Sequence, residues 1–181
     1  LSPDNPEVYW KLAHVHEATI HAIRKRPGRK VHHASTFTAV LEAYDQYYAK
    51  GGTRKIETLV ARAELLAIWP GHVKQASRSF HLALKLAEKE GTRGETLFAV
   101  SRAREFARNE GDRVLLVRSL RLLIERTPWD MDAWLELARS YPAGSPARED
   151  VYRSLIERQA DNAHAHVLHA RHIQESQGLP A

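Results

Sequence analysis

The stretch Leu97-Phe-Ala-Val-Ser-Arg-Ala-Arg-Glu-Phe-Ala-Arg-Asn-Glu-Gly111-Asp-Arg-Val-Leu-Leu-Val-Arg-Ser-Leu-Arg-Leu-Leu-Ile-Glu-Arg-Thr-Pro128-Trp-Asp130 decides how this chain folds. Its second half sets Leu116, Leu120 and Leu123 at steps of four and three, which is one stripe along a helix. Gly111 divides that helix from the one before it, and Pro128 stops it. Starting again at Met131, 34 residues after Leu97, the chain sets Trp134, Leu137, Ala138 and Tyr141 at helical spacing. Starting instead at Glu57, the second helix of that unit supplies Ala76, Phe80 and Ala83. Self-similarity at a step of 30 to 40 residues is the mark of stacked helical units, none of which can bury its apolar face alone.

Working outward, the helical period holds almost throughout. Ala34-Ser-Thr-Phe-Thr-Ala-Val-Leu-Glu-Ala-Tyr and Leu115-Leu-Val-Arg-Ser-Leu-Arg-Leu-Leu-Ile both repeat apolar residues at three and four. No segment of six or more residues alternates as a strand would between turn signals. Breakers at Pro27-Gly28, Gly51-Gly52, Pro70-Gly71, Gly91 to Gly94, Gly111, Pro128 and Pro142 to Pro146 divide the pattern. Nine helices are predicted, over 6–26, 33–50, 54–69, 72–90, 95–109, 112–126, 130–141, 146–159 and 162–176, with no sheet. They pair as about 6–50, 54–90, 95–126 and 130–159, followed by a terminal helix at 162–176, in one domain covering 1–181.

Composition narrows the classes. With 181 residues and 43% hydrophobic content, the chain is one domain or one continuous array. No apolar run approaches the roughly 18–20 residues of a membrane-spanning helix. The absence of cysteine excludes a disulfide scaffold, a zinc ribbon and thiol catalysis. The chain opens at Leu1 and its one methionine is Met131, so it reads as a fragment or a processed form. Lys plus Arg number 27 against 22 Asp plus Glu, a formal +5. Nineteen of those cations are Arg, and no Lys follows Lys89. Arg forks suit carboxylates and phosphates, although Arg and Ala together also accompany a GC-rich coding sequence.

The aromatic, Leu, small and Tyr set at Trp134, Leu137, Ala138 and Tyr141 resembles the tetratricopeptide signature at positions 4, 7, 8 and 11 of its repeat. Ala76, Phe80 and Ala83 resemble its small, aromatic, small triplet at positions 20, 24 and 27. Pro6-Glu-Val-Tyr9-Trp-Lys-Leu12-Ala13 echoes Asp132-Ala-Trp134-Leu-Glu-Leu137-Ala138, and Ala165, His166, His169 and Ala170 fall in the same register 32 residues further on. Residues 57–160 carry the likeness best. It implies an all-α, right-handed superhelical array of antiparallel helix pairs. Alanines where helices cross would let the backbones approach, and the bulky neighbours would fill the adjacent groove.

The candidate chemistry is sparse. His16-Glu17-Ala-Thr-Ile-His21 approaches a zinc-protease helix motif, but five steps set the two rings about 140° apart. His14 and His21 share a face at about 10 Å, too far for one zinc ion. His166, His169 and His172 are spaced to share a metal, yet the first two occupy packing positions of the repeat, so a packed or capping face with a soft pH dependence is expected and no metal or cofactor is assigned. There is no Gly-rich phosphate loop and no Gly-x-Ser-x-Gly elbow. Carboxylates sit beside cations, as in Glu88-Lys89-Glu90, and read as solvated ion pairs. No catalytic residue is assigned, and an enzyme is not expected. The cluster Arg24, Lys25, Arg26, Arg29 and Lys30 could clamp phosphates, but it is isolated and no aromatic residues interleave with it as stacking platforms.

In the family, the first helix of each pair faces a concave groove. Carried over by register, its position 6 falls on Lys11, Arg62 and Arg102, then Glu136, and its position 9 on His14, Leu65, Glu105, Arg139 and Arg171, with Asn109 at position 13 of the Leu97 unit. The resemblance therefore implies a non-catalytic scaffold or adaptor. Its groove residues Lys11, His14, Arg62, Arg102, Asn109, Arg139 and Arg171 would hold an acidic peptide or protein segment, with Trp10 and Phe98 shaping the walls. Two alternatives stand beside it. One is an accessory or oligomerisation domain of a larger enzyme or transport assembly. The other is a nucleic-acid or anionic surface made by residues 24–30, the less favoured partner class. The compartment is left open, with the cytoplasm slightly favoured.

Overall fold

The computed structural model describes residues 4–24 and 34–176. Among them the chain is all helical, with nine helices and no strand: α1 (Pro6–Arg24), α2 (Ala34–Ala49), α3 (Lys55–Ile68), α4 (Val73–Glu90), α5 (Arg93–Glu110), α6 (Arg113–Arg126), α7 (Met131–Arg139), α8 (Pro146–Arg158) and α9 (Ala163–Ser176). Wherever an end is described, it lies within two residues of the predicted one. The largest shortening is at α7, which ends at Arg139 instead of 141 because the chain must leave the helical region ahead of Pro142.

The boundaries have local causes. Asp112, Asp130 and Ser145 each accept a hydrogen bond at their helix N-terminus, from the backbone N–H of Leu115, Ala133 and Arg148. Each satisfies a donor that the helix itself leaves unpaired. Thr92 and Glu95 form a reciprocal capping box at the start of α5: Thr92 N–H donates to Glu95 Oε2 at 2.8 Å, and Glu95 N–H donates to Thr92 Oγ1 at 3.3 Å. The Thr92 hydroxyl and backbone N–H together hold the Glu95 carboxyl below the usual carboxylate range. At the other end of α5, Gly111 takes φ +69°, and Asp112 N–H reaches back to the Ala107 carbonyl at 2.9 Å. That closure needs a left-handed residue, which glycine adopts without strain.

The chain forms two compact units, Leu1–Glu95 and Thr96–Ala181. In the first, α1 packs on α2, α2 on α3, and α3 on α4. Ala13, Ile20, Val40, Ala43, Tyr44 and Leu65 form one buried cluster, with Trp10, Phe37, Leu41, Ala61 and Ile68 against it. The triplet Ala76, Phe80 and Ala83 is buried in α4 as its register requires, and Leu84 and Ala87 continue the stripe. Tyr47 is fully buried, and its hydroxyl accepts the Arg54 N–H at 3.0 Å, tying α2 to the turn before α3. The Tyr47 ring lies so close to Gly52 that a Cβ there would overlap it.

In the second unit α6 packs on α7, α7 on α8, and α8 on α9. Trp134, Leu137 and Ala138 are buried, as are Leu120 and Leu123, while Leu116 and Tyr141 are half-buried. Trp134 Nε1–H donates to the Pro128 carbonyl at 2.8 Å, so the indole supplies both packing area and a satisfied polar edge. Tyr141 is gripped from outside: Arg113 lies 5.5 Å from its ring centroid, and an Arg121 N–H donates to its hydroxyl at 3.1 Å.

Candidate functional site

Each unit carries an open-sided trough built from three successive helices. In the first, Tyr44, Asp45, Tyr48 and Ala49 of α2, Thr58, Leu59 and Arg62 of α3, and Leu82, Lys85, Leu86, Lys89 and Glu90 of α4 enclose a cavity of about 540 Å³. Its apolar lining stems from the breadth of the apolar arc on α4. The stripe Ala76, Phe80, Ala83, Leu84 and Ala87 packs inward. Leu82 and Leu86, four residues apart, extend the arc beyond it. Leu82 is 53% exposed and Tyr48 is 43% exposed, so two large apolar side chains stand at the mouth facing water. Burying what remains exposed of either against a partner would contribute on the order of 1 kcal/mol.

The charges of this trough are ordered. Arg62 Nε–H donates to Asp45 Oδ1 at 3.2 Å, and its NH1 donates to the buried Ser79 hydroxyl at 2.8 Å, so one guanidinium bridges α2 and α4. Lys89 pairs with its neighbour Glu90 at 3.2 Å in an exposed ion pair, and Lys85 is exposed beside Leu82 and Leu86. Burial first, and then the nearby Glu17 carboxylate, push the Tyr44 phenol well above its ordinary range, so it stays neutral.

In the second unit, Arg121, Ile124 and Glu125 of α6, Trp134 and Leu137 of α7, and Ala147, Asp150, Val151, Ser154 and Arg158 of α8 enclose about 260 Å³. This trough is half the size, and two carboxylates and two guanidiniums share its edge.

The residues expected in a groove are dispersed by their contacts. In the first unit, Lys11 and His14 are exposed on α1, and the His14 ring packs at 4.5 Å on Trp10 with Nδ1 3.0 Å from the Trp10 carbonyl oxygen. Arg62 points between α2 and α4. In the second, Arg102 sits 3.6 Å from Glu105 and 5.9 Å from the Phe98 ring centroid, while Asn109, Arg139 and Arg171 are exposed on α5, α7 and α9. Glu136, the anion in the predicted cationic row, is held by Arg104 and by both Arg108 Nε (2.5 Å) and NH2 (2.6 Å) from α5. Its burial works to raise the carboxyl pKa, but the hydrogen bonds from Arg108 and Arg104 outweigh it and hold the group below the usual range. Trp69 stacks between Phe37 and His72, whereas Trp129 is 66% exposed.

Of the basic cluster, Arg24 ends α1, and Lys25, Arg26, Arg29 and Lys30 lie outside the described residues. Among the described residues, no group of three or more His, Asp or Glu is arranged to hold a metal ion, and no helix is long and apolar enough to cross a membrane. His166 Nε2 donates to the Ala160 carbonyl at 2.7 Å, and His169 and His172 turn to Glu149. The pairing of Arg104 and Arg108 with Glu136 could be read only as unassigned charge on α5. The trough had one sequence signal, the Leu82 and Leu86 pair flanking the α4 core stripe.

No protein-family model matches the chain, and no curated protein or solved structure is similar to it at a significant level.

Proposed function

We propose that the chain is a non-catalytic scaffold that captures a peptide or protein segment, and that its helices are degenerate tetratricopeptide-like pairs stacked in a right-handed superhelix. One observation carries the functional reading: the apolar, open-sided trough over α2, α3 and α4, with Tyr48 and Leu82 at its mouth and cations beside them. Its volume of about 540 Å³ lies in the range of sites that take organic groups the size of several side chains. The segment it suits places apolar side chains against Leu59, Leu82 and Leu86 and a carboxylate toward Lys85 and Lys89. Arg62 is a weaker anion contact than its register implies, because a ligand would have to displace Asp45 from it.

The reading is tested by selecting binders from a displayed peptide library and titrating the best of them against the full chain. Leu82→Lys is expected to weaken binding by at least about tenfold, a loss of about 1.4 kcal/mol. The double change Lys85→Glu, Lys89→Glu is expected to cost several-fold, with the effect shrinking as salt is raised. Peptides whose affinity ignores Leu82→Lys would place the binding face elsewhere and overturn the assignment of the trough.

A further inference from the structure

The trough over α2, α3 and α4 has walls made of helix, and that limits the shape of what fills it. The backbone groups inside a helix bond to one another. Among the described residues there is no strand, so the trough offers no sheet edge for an extended chain to pair with. Its side chains do not make up for this. Among the described residues that line it, none is Asn or Gln, whose amides can donate to and accept from a peptide unit at once. The Thr58 hydroxyl donates to the Arg54 carbonyl at 2.7 Å, Arg62 is held by Asp45 and Ser79, and the Tyr44 hydroxyl is fully buried. An extended segment laid in the trough would turn N–H and C=O groups toward apolar walls that hold few partners for them, which is unfavourable. A helix satisfies those groups within itself.

The apolar groups come from all three helices. Tyr48 of α2 and Leu82 of α4 are exposed, and Leu59 belongs to α3, which packs against both. A strand turns a single line of side chains to one side. An amphipathic helix turns an apolar arc of at least about 100°, wide enough to meet both walls and the helix between them. Each wall is itself a helix, so its lining side chains stand in rows four residues apart: Leu82 with Leu86 and Lys85 with Lys89 on α4, and Tyr44 with Tyr48 on α2. A further helix seats its own ridges in the grooves between such rows. Charge adds a preference. Arg62 is paired with Asp45 and Lys89 with Glu90, while among the described residues Lys85 makes no ion pair. Resting on the trough as the binding face, we infer that its occupant is an amphipathic α-helix of a partner protein. That helix carries large apolar side chains three and four residues apart and a carboxylate on the flank that meets Lys85. Its apolar arc lies against Leu59, Leu82, Leu86 and Tyr48, and its backbone asks nothing of the walls.

The test titrates synthetic probes of about 16 residues against the full chain. The first sets leucines at steps of three and four on an alanine-rich host, with glutamates on one flank. The second adds a lactam staple across its solvent-facing side. The third keeps the composition but alternates leucine with polar residues as a strand does. The staple is expected to tighten binding about three- to tenfold, because the helix is ordered beforehand. The alternating probe, and the first probe with a proline set mid-chain on its solvent-facing side, should each bind at least about tenfold more weakly. Lys85 is exposed, so Lys85→Glu keeps the fold; it should weaken the first probe about threefold, and exchanging the probe's glutamates for lysines should restore it. If the alternating probe binds as tightly as the helical one, or the proline is tolerated, while Leu82→Lys still weakens both, the trough stands and the helix is overturned. Helical probes that ignore Leu82→Lys overturn the trough and the helix together. If none of the probes binds, the helix is overturned and the trough is left to the unrestricted peptide selection. A probe-free chain that self-associates in sedimentation, and that Leu82→Lys returns to a monomer, puts a second copy in the trough and overturns the partner helix.

Discussion

The trough of α2, α3 and α4 and the trough of α6, α7 and α8 are made by the same succession of helices, yet they differ in chemistry. The first encloses about 540 Å³ behind Leu59, Leu82, Leu86 and Tyr48, while the second encloses about 260 Å³ behind Arg121, Glu125, Asp150 and Arg158. A trough whose edge carries balanced charge is already solvated and has little to gain from a partner. One whose edge carries exposed leucine and tyrosine gains in proportion to the apolar area covered. Three successive helices therefore do not by themselves make a site, and the side chains just outside the core stripe decide which trough can bind.

The sharpest way to break this comparison is to separate the core stripe of α4 from its trough edge. Phe80→Ala removes a fully buried ring and is expected to cost about 3–5 kcal/mol in denaturant unfolding. Leu82→Ala, two residues away and exposed, should change stability by no more than about 0.5 kcal/mol while weakening binding. Equal losses from the two would mean that Leu82 belongs to the core. Next in size is Gly52→Ala, whose Cβ would overlap the Tyr47 ring. A destabilisation of about 1–3 kcal/mol is expected from that overpacking, read from the unfolding midpoint.

In the second unit, Glu136→Gln is expected to cost about 1–2 kcal/mol, because it weakens a partly buried carboxylate held by two arginines. The pH dependence follows from the same site. The Glu136 carboxyl is depressed in the folded chain, so its contribution is present above the unfolded value of about 4.5 and is lost as pH falls through the lower folded value. Acid unfolding of the wild-type chain should accordingly be steeper than that of Glu136→Gln. Asp130→Ala is expected to cost about 1 kcal/mol for the lost cap of α7, measurable as a lower melting temperature.

Much of the architecture was legible along the chain. Gly111 with Asp112, Pro128 with Asp130, and Ser145 with Pro146 act within a few residues of where they stand, so their effect on helix ends needs no knowledge of what lies across the fold. The apolar stripes were legible for the same reason, since a helix places residues three and four apart on one face whatever its neighbours are. Arg62 was legible as a cation in the right register, but its direction was not. Whether it faced a ligand or Asp45 and Ser79 depended on side chains 17 residues away on either side. The histidines of α9 were visible as a spaced trio. Only Glu149, arriving on the preceding helix, divided them, taking His169 and His172 and leaving His166 to the backbone of its own turn.

The sequence by itself determined the nine helices of the described residues, their described ends to within two residues and their buried stripes, because those depend on interactions that span at most a few residues. Tertiary structure decided which charges were spent on one another and which apolar side chains were left facing water. A side chain's partner is set by what packs beside it, and a charge or a leucine is available to bind only when that packing leaves it uncovered.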